Sequence, residues 1–265
     1  MAGRLNGKVI IVTGASRGLG QYCALGYGSE GAIVAVAART EEETDPRLPG
    51  TIHHTARLVD EADGEGFPVV CNVANPASIQ AMVDAVLARY GRIDVLMNNA
   101  GVLPPGGLMD IPPKHWELEV KINLNGPFHA TRAVAEAMIA QRSGSIINVS
   151  SAGADNLYGH YGVIKRGLEA MTAAFANELR GNDIAVNALK PVSAVETPGM
   201  NFGGPVSDER RKTLPTRDSY VEAAVLLALQ TPATCTGTAM NDYETLKRLA
   251  PETLNRYRWP NLPDA

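Results

Sequence analysis

A chain of 265 residues, 45% of them hydrophobic and 20% charged, has the size and balance of a globular fold, which excludes a wholly disordered or fibrous chain. Lys and Arg total 24 against 28 Asp and Glu, a formal net charge of −4, so nothing in the overall charge favours nucleic acid or a membrane surface as partner. The longest apolar runs, 32–38 and 223–229, fall far short of the ~20 residues that cross a bilayer. Cys23, Cys71 and Cys235 form no Cys-x-x-Cys pair, and the expectation is a cytoplasmic protein with reduced thiols.

Strand-length apolar runs alternate along the chain with segments of helical period. Residues 9–12, 33–37, 69–71, 95–97, 146–149 and 184–188 read as strands, and 19–29, 51–62, 76–90, 114–141 and 160–180 as the helices between them. Unbroken Val/Ile runs suit strands covered on both faces, so the pattern predicts a doubly wound α/β fold, a parallel sheet with helices on both sides, forming one domain over 1–265. Two stretches interrupt the rhythm. Residues 41–50, with Pro46 and Pro49, read as a surface excursion. Residues 191–220, rich in Pro and Gly with apolar Val195, Met200, Phe202 and Leu214 between them, read as a substrate lid.

The first strand runs through Thr13-Gly14-Ala15-Ser16-Arg17-Gly18-Leu19-Gly20 into a helix. In that setting a glycine turn lets backbone approach a pyrophosphate at a helix N-terminus. The spacing is Gly-x-x-x-Gly-x-Gly, which departs from the general Gly-x-Gly-x-x-Gly fingerprint. The second strand ends Ala38-Arg39-Thr40, where an NAD-selective site carries an acid for the ribose 2′-hydroxyl. Arg17 and Arg39, with no carboxylate at that place, suit a 2′-phosphate and predict NADP(H), with NAD(H) as the alternative.

Tyr161 and Lys165 lie four residues apart in a helical segment, on one face, where an ammonium favours the phenolate and brings the phenol into acid-base range. Ser150 and Ser151 close the strand 146–149, Asn98-Asn99-Ala100-Gly101 follows the strand 95–97, and Thr13 follows the first. All converge on the carboxyl edge of the sheet, where such folds bind ligands.

Together these stretches resemble the short-chain dehydrogenase/reductase family over residues 7–238. Residues 13–20 resemble its TGxxxGxG turn and 98–101 its NNAG stretch. Asn123, in Ile122-Asn123-Leu124-Asn125-Gly126, resembles its helix-borne catalytic Asn, and Ser151, Tyr161 and Lys165 complete its Asn-Ser-Tyr-Lys tetrad. The resemblance implies a Rossmann-type fold and metal-free hydride transfer between the nicotinamide and a carbonyl or secondary carbinol, and the apolar residues of the 191–220 stretch point to an apolar one. Tyr161 would be general acid or base, Ser151 would hold the substrate oxygen, Lys165 would lower the Tyr161 pKa and hold the ribose, and Asn123 would support a water relay. Cofactor contacts are implied at Gly14, Ser16, Arg17, Gly18, Leu19, Gly20, Arg39, Asn72, Val73, Asn99, Ala100, Gly101, Tyr161, Lys165 and Thr197. A homodimer or homotetramer through the helices 114–141 and 160–180 is implied as well.

Three departures from the family pattern stand out. Ser151 precedes Tyr161 by only ten residues, a shortened connection that leaves Ser150 as an alternative. Pro191-Val192 replaces Pro-Gly, with Thr197 one residue late for the carboxamide. Asn72 stands where an Asp commonly meets adenine. The five histidines form no metal motif, although His160 borders Tyr161. Rival readings are a nucleotide-binding regulator without catalysis, and a dehydratase or epimerase on the same fold.

Overall fold

The computed structural model describes residues 3–195, 197, 207, 209, 214 and 217–259. All six expected strands form, and a seventh joins them: β1 (Val9–Thr13), β2 (Ile33–Ala38), β3 (Glu65–Val70), β4 (Val95–Asn98), β5 (Gly144–Val149), β6 (Ile184–Lys190) and β7 (Ala239–Asn241). Every pairing is parallel, in the order β3-β2-β1-β4-β5-β6-β7. The chain therefore reverses its direction of travel between β1 and β4, and the crevice at their carboxyl ends is where an open α/β sheet receives a ligand.

The helices are α1 (Gly18–Ser29), α2 (Ile52–Asp60), α3 (Pro76–Tyr90), α4 (Pro113–Val120), α5 (Gly126–Gln141), α6 (Gly159–Leu179), α7 (Arg217–Ala228) and α8 (Asp242–Leu249). One apolar layer packs Tyr27, Val59 and Tyr220 of α1, α2 and α7 against the sheet. The other packs Met82, Val134, Met138 and Ala176 of α3, α5 and α6 against the opposite face. The doubly wound class thus stands, as a single Rossmann-like unit.

Some boundaries depart from expectation, each for a local reason. β3 begins at Glu65, four residues before the predicted run, because it is the edge strand and tolerates Gly66 and Pro68 there. The predicted helix 114–141 is broken by a π-helical turn, Lys121–Asn125, between α4 and α5. β7 is three residues long and leaves no run to detect. The predicted lid, 191–220, lies largely outside the described residues, and its last four residues are the first turn of α7. Tyr243, Tyr257 and Trp259 stack edge to face beside α8. Among the described residues no helix is long and apolar enough to cross a membrane.

Candidate active site

The turn after β1 nests against the segment after β4, and this close approach explains its glycines. Gly14 has φ +67°, and a Cβ there would lie 2.7 Å from the Ala100 Cα. At Gly20 a Cβ would fall 2.3 Å from Asn99 Nδ2 and 2.6 Å from the Gly14 carbonyl. The two segments are stitched together by Thr13, whose Oγ1 accepts from the Asn99 and Ala100 amides at 3.1 and 3.2 Å. Asn99 Nδ2 in turn donates to the Thr13 and Gly14 carbonyls. Asn99 therefore shapes the turn with its side chain. α1 starts with Arg17 at its N-cap, no side-chain cap and no acid in its first turn, so its unpaired amides and positive dipole end suit an anion beside the turn.

Arg17 reaches across the excursion at 41–50. Its Nη2 donates to the Gly50 carbonyl at 3.1 Å and to Thr40 Oγ1 at 3.4 Å, while its Nε is buried with no hydrogen-bond partner among the described residues. Arg39 is exposed and lines an open cleft with Thr40, Glu41, Glu42 and Thr44. Asn72 Oδ1 accepts from the Ala74 amide at 3.1 Å, folding the turn after β3, and the Val73 carbonyl packs against Gly126. Thr197 lies against Gly18, across the same opening.

The tetrad residues come together at this edge. Ser150 is buried and donates to Glu169 Oε1 at 2.8 Å, whereas the Ser151 hydroxyl accepts from the Gly153 amide at 3.1 Å and flanks Gly153 together with the Tyr161 ring. The shortened connection closes through a 3-10 turn at Ala152–Ala154 and left-handed backbone at Leu157 and Gly159. Gly162 fits directly over the Gly153 carbonyl, which a Cβ would approach to 2.4 Å. Lys165 is buried, with Nζ donating to the Val149 carbonyl at 2.7 Å and lying 5.5 Å from the Tyr161 ring centroid. Asn123, in the π turn, is fully buried and clamps Val102 from both sides: Oδ1 accepts from its amide at 2.9 Å and Nδ2 donates to its carbonyl at 2.7 Å.

The electrostatics of the phenol run opposite to the sequence expectation. Burial, with the Glu119 charge, pushes Tyr161 up to about 12 against the opposing pull of the Ser151 hydroxyl. Lys165, with its ammonium turned toward the Val149 carbonyl, is itself pulled down to about 8 by burial, opposed by Glu119.

Sequence reasoning passed over Glu119 altogether. It is fully buried on α4, and its Oε2 lies 2.5 Å from His160 Nδ1. Also missed is the support behind Ser150, where Glu169 takes Arg166 and the buried Lys190, and Lys190 reaches Asp155. Among the described residues no group of three His, Cys, Asp or Glu is placed to hold a metal.

The fold order and this carboxyl-edge site define a nucleotide-type α/β enzyme fold, and comparison with known proteins places it. A family model described as short chain dehydrogenase matches residues 8–202. The 3-oxoacyl-(acyl-carrier-protein) reductase FabG of Thermotoga maritima is 38% identical over 203 residues, 74% of this chain and 77% of that protein. Human hydroxysteroid dehydrogenase-like protein 2 is 31% identical over 262 residues, 96% of this chain but only 61% of that relative's length. A crystal structure of a candidate dehydrogenase from Xanthomonas campestris superposes with TM-score 0.86 at 29% identity, covering 98% of this chain and 97% of the other. The chain belongs to the short-chain dehydrogenase/reductase family of oxidoreductases.

Proposed function

We propose that the chain is an NADP(H)-dependent oxidoreductase that transfers a hydride between the nicotinamide and an apolar ketone or secondary alcohol, with Tyr161 as general acid and base. The observation that carries this reading is the Ser151 hydroxyl and the Tyr161 ring together at Gly153, with buried Lys165 Nζ 5.5 Å from the ring centroid, on the same sheet edge as the glycine turn. Residues 1–265 then act as one catalytic domain, with 191–220 as its substrate lid.

The fit to a dinucleotide rests on the uncapped start of α1, the turn that accepts no Cβ, and the buried Arg17 Nε, which has no partner among the described residues. Gly14, Ser16, Gly18, Leu19 and Gly20 would hold the pyrophosphate, Arg39 and Arg17 the 2′-phosphate, Asn72 and Val73 the adenine, and Ala100 and Gly101 with Asn99 the central ribose. Tyr161 and Lys165 would hold the nicotinamide ribose and Thr197 the carboxamide. When bound, the nicotinamide supplies or accepts the hydride at C4.

In reduction Tyr161 gives its proton to the carbonyl oxygen as the carbon gains hydride, and Ser151 donates a second hydrogen bond to that oxygen. Two fixed donors meet the charge as it develops. A phenol held up to about 12 is fully protonated at neutral pH, the form this step uses. Lys165, near 8, can return the proton to Tyr161 at working pH, and Asn123 keeps the adjoining segment in register through Val102.

A fluorescence titration tests the cofactor assignment. NADPH is expected to bind at least about tenfold more tightly than NADH, about 1.4 kcal/mol, and Arg39→Ala is expected to erase the difference. Equal affinities in the wild type would remove the NADP(H) assignment.

The same reading extends to assembly and setting. Exposed Phe128 and Ile139 on α5 and Val163 on α6 support a homodimer or homotetramer through these helices, and a monomer in light scattering would contradict it. The three buried free thiols support a reducing, cytoplasmic setting.

A further inference from the structure

The 41–50 excursion, which its charges and prolines mark as a surface feature, ends on a buried residue. Gly50 has φ +108°, a backbone conformation that favours glycine, and a Cβ there would lie 2.4 Å from the Ser16 carbonyl oxygen and 3.4 Å from the Arg17 Cβ. The residue is also gripped from two sides. Its amide donates to Glu43 Oε1 at 2.7 Å, and its carbonyl accepts from Arg17 Nη2 at 3.1 Å. Within the loop the Leu48 amide donates to the Asp45 carbonyl at 2.9 Å, and the neck is closed by the Ile52 amide on the Thr40 carbonyl at 3.0 Å. The excursion is therefore a folded loop pinned onto the glycine turn.

Packing behind Gly50 fixes where the pin falls. Thr51 caps α2 by accepting from the His54 amide at 3.0 Å, and α2 is tied to α1 by Gln21 Nε2, which donates to Thr55 Oγ1 at 2.9 Å. The residue just before the cap of α2 is thereby held against the start of α1, where Arg17 stands. Both acceptors of Arg17 Nη2, the Gly50 carbonyl and Thr40 Oγ1, belong to the two ends of the loop, and Thr40 directly follows Arg39. A long side chain that would otherwise sample many rotamers is set in one place beside a second arginine. A guanidinium already ordered loses less conformational freedom when it takes a phosphate.

We propose that the 41–50 loop is a third wall of the cofactor site and that Gly50 is a positioning residue whose carbonyl sets the Arg17 guanidinium for a 2′-phosphate, so that the loop fixes the preference for NADP(H) over NAD(H). Gly50 acts through Arg17 and through its close seat on Ser16. A cofactor with only a hydroxyl at the 2′ position has no phosphate for the ordered guanidinium to meet, and gains little from the pin. The inference rests on the NADP(H) reading of the site.

The test is a fluorescence titration of Gly50→Ala with NADPH and, separately, with NADH. The added methyl group must push the loop off Ser16 and so draw its carbonyl away from Arg17. NADPH affinity is expected to fall by about tenfold, the worth of one charge-assisted hydrogen bond, and NADH affinity by no more than about threefold, so that the preference narrows. If Gly50→Ala does not fold, Glu43→Ala and Glu43→Gln are compared in its place. Both remove the charge, but Gln keeps an acceptor for the Gly50 amide, and the preference for NADPH is expected to be about threefold smaller in the Ala variant. Equal losses for the two cofactors in Gly50→Ala, or equal preferences in the two Glu43 variants, would reduce the loop to a structural pin and overturn the proposal. A wild-type protein that binds NADPH and NADH equally would instead remove the NADP(H) reading, and this inference with it.

Discussion

Tyr161→Phe is expected to lower kcat for carbonyl reduction about 10³-fold, roughly 4 kcal/mol of transition-state stabilisation, while NADPH affinity falls by no more than about tenfold, the worth of one hydrogen bond to the ribose. The ring stays in place and only the hydroxyl is lost, so the proton donor disappears with the packing unchanged. The Ser151 hydroxyl is partly exposed and water can satisfy it, so the fold is not expected to suffer. Steady-state kinetics with separate NADPH binding check this split. A variant that kept most of its kcat would mean that another group supplies the proton.

Lys165→Met is expected to make the cofactor-free protein more stable while crippling its chemistry. The ammonium is buried, it donates to the Val149 carbonyl, and burial pulls it down to about 8 from an ordinary value of about 10.4. Below pH 8 both folded and unfolded chains hold this proton, and the folded chain bears the full cost of burying the charge. Between 8 and 10.4 the unfolded chain binds more protons than the folded one, so this group's contribution to stability rises with pH and the cost fades. The shift corresponds to about 3 kcal/mol, and losing the hydrogen bond to Val149 takes back about 1 kcal/mol. Urea unfolding at pH 7 should therefore show the variant more stable by about 2 kcal/mol, with the gain absent near pH 10. A less stable variant at pH 7 would mean that the buried ammonium is held by interactions beyond Val149.

What the sequence made readable followed from periodicity and from motifs fixed by close backbone approach. Val9, Ile10, Ile11 and Val12 are buried on both faces and so form an unbroken apolar run. Gly14 and Gly20 are glycine because Asn99 and Ala100 leave no space for a side chain. Residues whose role depends on tertiary context were hidden. On α4 Leu118 is 43% exposed while Glu119 is fully buried, the reverse of what hydrophobic patterning assigns, because the buried partner, His160, stands 41 residues away. The choice between Ser150 and Ser151 was likewise open in one dimension; in the fold one hydroxyl is taken by Glu169 and the other stands across Gly153 from the Tyr161 ring. The phenol's direction of shift was misread for the same reason, since desolvation cannot be seen from a Tyr-x-x-x-Lys spacing.

The central claim is direct hydride transfer assisted by Tyr161, and the most direct test is label transfer. NADPH carrying deuterium at C4 is incubated with the protein and a panel of apolar ketones, and the products are weighed by mass spectrometry. One deuterium on the carbinol carbon, lost with turnover in Tyr161→Phe, is the predicted result. Tight binding of NADPH with no labelled alcohol from any ketone, or product formed with no net change in the nicotinamide, would contradict it.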